Sequence, residues 1–362
     1  MVFKENAALI STYCVAHAFV DAICALVALY FVKAGVIDLA TGALLILTYN
    51  ILAFALQAPI GFVCDRIGNA KLFAVGGVAL VLLGMGSYQI PILAILLIGA
   101  GNAIFHVGLG VVSLSVDPKK AAVPGIMVST GALGLLVGGL IAATKQVPLI
   151  EAFLIGIIIC VALFYVKAPQ LDLKKEKAER KIGVKEIAIV GALLLLISIC
   201  VRGLVGMALA FPWKADMTLL ITLTIGVVLG KALGGIIGDK FGWLKVAVIA
   251  LVLSIPLIYL GWANSALGII GVFLFNMTMP ITLVAISNLL PGRKGFAFGL
   301  TTLALVIGAL PVFLGAKGIV STADFVLMVS IVSATALAIG LILHNNVFAK
   351  VKSTKNNKSK RK

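Results

Sequence analysis

The sequence predicts an all-α membrane protein with twelve transmembrane helices in two pseudo-symmetric six-helix bundles. Three observations predict it: a composition too apolar for a water-soluble core, a series of apolar runs long enough to cross a bilayer, and a loop sequence that occurs twice. Of the 362 residues, 62% are hydrophobic and 12% charged, and the mean hydropathy is +1.20. Soluble globular domains run at roughly 45–50% apolar and about 25% charged. This chain has too little polar residue to cover its apolar surface, so lipid is its solvent over most of its length. The cysteines (Cys14, Cys24, Cys64, Cys160, Cys200) form no CxxC pair. They read as small packing residues rather than a metal or disulfide framework.

A hydrocarbon core of about 30 Å needs about 20 residues of helix. Breaks at Gly, Pro and charge give runs at 7–32, 40–62, 71–90, 91–116, 122–144, 148–167, 186–211, 217–238, 244–262, 265–290, 296–316 and 323–348. The first run is too long for a signal-peptide core and no small-residue cleavage site follows it, so it reads as a retained span. The fifth contains Gly125, Gly131, Gly134, Gly138 and Gly139, a density that favours close helix packing. Asn276, Met279 and Pro280 in the tenth run, with Pro311 in the eleventh, predict kinks that shape a cavity. Pro59, Pro124 and Pro212 read as helix-end punctuation. The expected organisation is an N-terminal bundle over 1–170, a charged linker over 171–186, a C-terminal bundle over 187–349 and a basic tail over 350–362.

Charge tests the count independently. With twelve spans and the N-terminus inside, 23 Lys and Arg fall on the cytoplasmic side and four (Lys33, Lys145, Lys214, Lys317) on the other. That asymmetry is the positive-inside signature. It predicts a multi-pass protein of the cell membrane with both termini cytoplasmic. The net charge of +16 is then topological, the tail is expected against anionic lipid headgroups, and nucleic acid is not an expected partner.

The repeated loop is the strongest signal. Gly61-Phe-Val-Cys-Asp65-Arg66-Ile-Gly68-Asn-Ala-Lys71 follows the second run, and Gly235-Ile-Ile-Gly-Asp239-Lys240-Phe-Gly242-Trp-Leu-Lys245 follows the eighth, 174 residues later. Gln57 and Lys231 are also in register, each four residues before the first glycine. A six-helix unit duplicated in parallel is a transporter plan. Glycine permits close helix approach, while an aspartate beside a helix end and its basic neighbour can latch one face of the bundle.

The loop resembles the signature that the major facilitator superfamily carries after helices two and eight, which implies the major facilitator fold and secondary transport. His17-Ala-Phe-Val-Asp21, Gly101-Asn102-Ala-Ile-Phe105-His106 and the lone Arg202 together look like the fosmidomycin-resistance branch, a group of efflux carriers.

Ionisable residues inside a bilayer are costly and usually face a cavity or a partner. Those within the runs are His17, Asp21, His106, Arg202 and Lys231. His17 and Asp21, four apart, share a helix face, as do Asn102 and His106. Carboxyl and imidazole groups so placed can hold a coupling proton or substrate; the alternative is a hydrogen-bonded pair that fixes helix packing. Arg202 is expected to meet an anionic substrate group or Asp21, or else to snorkel to headgroups. Lys231 faces the cavity or complements the loop below it. Gln57 and Asn276 complete the expected pathway.

No Walker loop, HExxH or GxSxG is present, so neither an ATP-driven pump nor a membrane enzyme is expected. The leading expectation is a monomeric, proton-coupled efflux antiporter for a small molecule, without metal or cofactor. Proton-coupled uptake of a small organic anion comes next, and a non-transporting sensor or scaffold last.

Overall fold

The computed structural model describes residues 2–169 and 185–359. Among the described residues, a short turn of helix at Val2–Glu5 is followed by twelve principal helices. In the first half these are α1 (Ala7–Lys33), α2 (Leu39–Ile67), α3 (Ala70–Gly86), α4 (Pro91–Val116), α5 (Ala122–Ala143) and α6 (Leu149–Tyr165). The second half comprises α7 (Lys185–Ala208), α8 (Met217–Phe241), α9 (Trp243–Leu260), α10 (Ser265–Leu289), α11 (Lys294–Val320) and α12 (Ala323–Ser359). Ten are long and apolar enough to cross a bilayer; α3 and α6, at 17 residues each, are shorter apolar helices. Most of the linker 171–186, and the side chains of the tail 350–362, lie outside the described residues. The backbone of α12 continues into that tail as far as Ser359.

The helices begin and end where side-chain chemistry allows. Asp38 accepts from the amides of Ala40 and Thr41 to start α2, and Asp216 accepts from Leu219 to start α8, as N-caps do. At their other ends, Gly68 (φ 77°) and Gly242 (φ 98°) stop α2 and α8 in backbone that side chains with a Cβ rarely adopt. The two glycines occupy equivalent places in the repeated loop, so the repeat encodes a stop as well as a contact.

The packing repeats as the loops do. In the first half α1 lies on α5 and α3 on α4; in the second α7 lies on α11 and α9 on α10. The halves join where α2 meets α11 and α5 meets α8. Gly134 and Gly138 of α5 sit directly on the carbonyls of Ala18 and Ala22 of α1, the close approach that the glycine-rich run predicts. Outward-facing Leu154, Ile157, Ile158 and Val161 on α6 are exposed apolar residues, the surface a lipid solvent favours.

Four helices are interrupted. α2 passes through a π-turn at Ile51–Ala55 and resumes at Gln57–Ile67, so Pro59 lies inside a helix and does not end one. The π-turn changes the hydrogen-bond register just before the proline, which lacks an N–H and obstructs the carbonyl four residues earlier. α5 breaks at Thr130 and α10 at Met277. α11 kinks after Pro311, where a π-turn contains Gly315 at φ 92°. The kinks expected from Asn276–Pro280 and Pro311 are therefore present.

Candidate functional site

In the first half, α1 and α4 bring together a compact, buried polar cluster. His17 and Asp21 project from one face of α1, and Asn102 and His106 from one face of α4. Their helices bring the two pairs together. Nε2 of His17 lies 3.3 Å from Oδ2 of Asp21, and Nε2 of His106 lies 3.6 Å from Oδ1. The imidazoles approach each other, Nε2 to Nε2, at 3.0 Å. Asn102 donates its amide to Asp21 Oδ1 at 3.1 Å. All of these side chains are buried except that of His106, which is 14% exposed.

Each imidazole is fixed from behind by backbone. Nδ1 of His17 lies 2.8 Å from the carbonyl of Met127, beside the break in α5, with the Thr130 hydroxyl 3.4 Å away. Nδ1 of His106 lies 2.9 Å from the carbonyl of Asn102. Carbonyl oxygens only accept, so each Nδ1 carries the hydrogen and each Nε2 is turned toward the carboxylate. Gly131 makes the room: a Cβ there would strike Asp21 Oδ2 and His17 Nε2. The donor atoms of His17, Asp21 and His106 all lie within 4.8 Å of one another, and a transition metal accepts such ligands. Lys231 lies within electrostatic range of Asp21 and His106.

The second half contributes cations. Arg202 on α7 is buried, its guanidinium donating to Thr278 from Nη1 and to Thr282 from Nη2 (2.8 Å), both on α10. It forms no ion pair with Asp21. Lys231 on α8 is half-buried. Gln57 is buried and donates to the Ala53 carbonyl at 2.6 Å, and Asn276 donates to Val272 at 2.8 Å; both are engaged within their own helices. Thr278, Thr282, Met127, Thr130 and Gly131 were not singled out for these contacts. Of these, only the Thr278–Thr282 pair, at i,i+4 spacing in an apolar helix, carried a sequence signal.

At the end of the bundle that carries the repeated loops, the two halves are tied together twice. Asp65 accepts from the amides of Gly295 (2.8 Å) and Phe296 (2.9 Å) at the start of α11. Asp239 accepts from Ala121 and Ala122 (each 2.9 Å) at the start of α5. Neither α11 nor α5 has a cap from its own N-cap side chain, so each aspartate caps a helix of the opposite half, where exposed amides and the helix dipole favour an anion. Gly61 and Gly295 meet backbone to backbone, as Gly235 meets Ala121. The basic neighbours take no part in these contacts: Arg66 lies over the Phe62 ring at 4.2 Å and Lys240 over Phe241 at 5.1 Å.

Known proteins resemble the chain in the same way. No curated relative matches it. Among solved structures, the E. coli Fucose:proton symporter FucP superimposes with a TM-score of 0.67 at 12% identity, covering 93% of this chain and 97% of that one. A second FucP structure, in the outward conformation, gives 0.62 at 12% identity with the same coverage. At that identity the likeness concerns the fold. The family model described as Major Facilitator Superfamily matches residues 9–309. The chain belongs to the Major Facilitator Superfamily of membrane transporters.

Proposed function

We propose that the chain is a proton-coupled secondary active transporter of the cell membrane, with its termini cytoplasmic, and that the coupling proton resides in the cluster of Asp21, His17, His106 and Asn102. The observation that carries this reading is a shortage of donors. With both Nδ1 atoms facing carbonyls, two Nε2 lone pairs 3.0 Å apart converge with a carboxylate, and Asn102 is the side chain that donates to it. One added proton, on an Nε2 or on the carboxyl, relieves the mutual repulsion. The cluster sits between α1, α4 and α5 of the first half, and α5 packs on α8 of the second, so rocking of the halves changes what faces it. Release of the Asp65 and Asp239 contacts opens the latched end, so the halves alternate access around the centre.

Membership of the fosmidomycin-resistance branch, proposed on His17-x-x-x-Asp21, Asn102-x-x-x-His106 and Arg202, implies export in exchange for protons. A second mode, uptake together with a proton, is favoured by one observation. The proton cluster belongs to the first half while Arg202 and Lys231 belong to the second, so proton and cargo can be held at once. Antiport requires that they exclude one another.

Proteoliposomes with an imposed pH gradient test the proposal across a panel of small anionic, neutral and cationic compounds. Gradient-driven flux of at least one compound is expected, with its direction relative to the gradient separating exchange from co-transport. Asp21→Asn should abolish the dependence on the gradient. Flux equally gradient-driven in Asp21→Asn refutes the proton site.

A further inference from the structure

Charge in the bundle interior is not balanced. More than one helical turn from a helix end, the described spans contain one acid, Asp21, against two cations, Arg202 and Lys231. Asp21 is already engaged by Asn102, His17 and His106. Asp21 pairs within 4 Å with the two histidines, and neither Arg202 nor Lys231 pairs with a described carboxylate. Arg202 is 7% exposed and its Nε is buried with no acceptor. The hydroxyls of Thr278 and Thr282 orient the guanidinium but offset none of its charge. A buried charge without a counter-charge is strongly destabilising.

Both cations are arranged around α10 near its break. Arg202 bonds Thr278 and Thr282, just after the break at Met277. The backbone of α8 beside Lys231 packs against the segment just before and at it, with Gly230 on Phe273 and Asn276, and Gly234 on Met277. The charge of Lys231 is also felt at Asp21 and His106. One cation therefore bonds this interrupted helix directly, and the second is carried by a span whose backbone packs against it.

We infer that the cargo of this transporter is a small organic anion whose carboxylate or phosphate-type group is bound by Arg202, with the charge of Lys231 adding to the positive potential of the second half. The guanidinium supplies directional donors, held in place by the two threonines, for planar or tetrahedral oxyanions. Lys231 adds a second charge whose field also reaches the proton cluster. The inference rests on the transporter reading above and adds to it the class of cargo and the residues that select it.

The test is equilibrium binding to the full chain in lipid nanodiscs, by isothermal titration with the sodium salts of acetate, succinate, phosphate and methylphosphonate. Choline and glycerol serve as cationic and neutral controls. At least one of the anions should bind saturably, and neither control should. Arg202→Gln should weaken that binding at least about tenfold, as loss of a buried charged contact does, with Arg202→Lys intermediate and Lys231→Gln weakened to a lesser degree. Circular dichroism and gel filtration check that each variant folds; should Arg202→Gln fail, Arg202→Lys and Lys231→Gln carry the test. Binding of none of the four anions, unchanged affinity in the folded variants, or equal binding of a control overturns the inference. Titration in buffers of different ionisation enthalpy counts protons taken up with the anion. Binding that needs Arg202 but takes up no proton supports this cargo site and counts against the proton site instead.

Discussion

Removal of the aspartate latches should shift the molecule from a state closed at the loop end to one open there. In Asp65→Ala, two amides of α11 lose a carboxylate acceptor, Gly295 at 2.8 Å and Phe296 at 2.9 Å. A hydrogen bond to a charged group contributes about 1.5–3 kcal/mol, and loss of an N-cap costs about 0.5–2 kcal/mol. Water reaches the freed amides once the end opens, so about 2 kcal/mol is a reasonable figure for this buried carboxylate. At about 1.4 kcal/mol per factor of ten, the ratio of open to closed molecules rises about 30-fold. Asp239 is half-buried and more exposed to solvent screening; about 1 kcal/mol, or about fivefold, is expected for Asp239→Ala. Spin labels at Ile67→Cys and Phe241→Cys, exposed positions at the ends of α2 and α8, report the separation by double electron–electron resonance once the native cysteines are replaced. Wild type should give predominantly the short distance, with the long-distance population growing in the order Asp239→Ala, Asp65→Ala, double variant. Identical distance distributions in wild type and the double variant would show that the aspartates do not hold the halves together.

Two further outcomes follow from particular contacts. Gly131→Val puts a side chain against Asp21 Oδ2 and His17 Nε2, whereas Gly139→Ala meets only Leu29 at 3.8 Å; the first should retain helicity but lose gradient-driven flux at least about tenfold, and the second should transport as wild type. Asp38, at the start of α2, is held below its ordinary range by the Thr41 hydroxyl and then by backbone amides. Its stabilising contribution is therefore present above the unfolded value of about 3.9 and is lost as pH falls through the lower folded value. Thermal unfolding of Asp38→Ala should show a lower midpoint at pH 7 and a smaller loss of stability on acidification than wild type; parallel pH curves would refute this.

The sequence made the fold legible because lipid leaves a chain few choices: each apolar run must form a helix, and a loop duplicated at half-length marks a duplicated unit. The runs at 71–90 and 148–167 correspond to α3 and α6, and the paired glycines Gly68 and Gly242 carry the positive φ that ends α2 and α8. Legibility failed where the partner was backbone. The sequence put Asp65 beside Arg66 and Asp239 beside Lys240, yet the acceptors found amides 230 and 118 residues away, and amides leave no trace in a residue string. The same holds for the carbonyls of Met127 and Asn102 that set the histidine tautomers. Spacing of four placed His17 with Asp21 and Asn102 with His106, but only the packing of α1, α4 and α5 could join the pairs, and nothing distinguished Gly131 from its neighbouring glycines.

The repeat is retained at the latches and broken at the centre, and the break has a functional logic. Equivalent aspartates cap equivalent helices, so both halves contribute to closing one end. In the interior, the register partners Gln57 and Lys231 differ: one is a neutral amide bonded within its own helix, the other an ammonium whose charge is felt at Asp21. Acid and imidazoles belong to the first half, guanidinium and ammonium to the second. A proton gained by the first half raises the positive potential felt by an anion on the second, so the two favour each other's binding, and by linkage the effect is reciprocal. For an anionic cargo that sign of coupling is co-transport. Exchange would follow only for a cargo that the added proton repels, and the direction of cargo-induced proton movement in sealed vesicles therefore reads the charge of the cargo as well as the mode of transport.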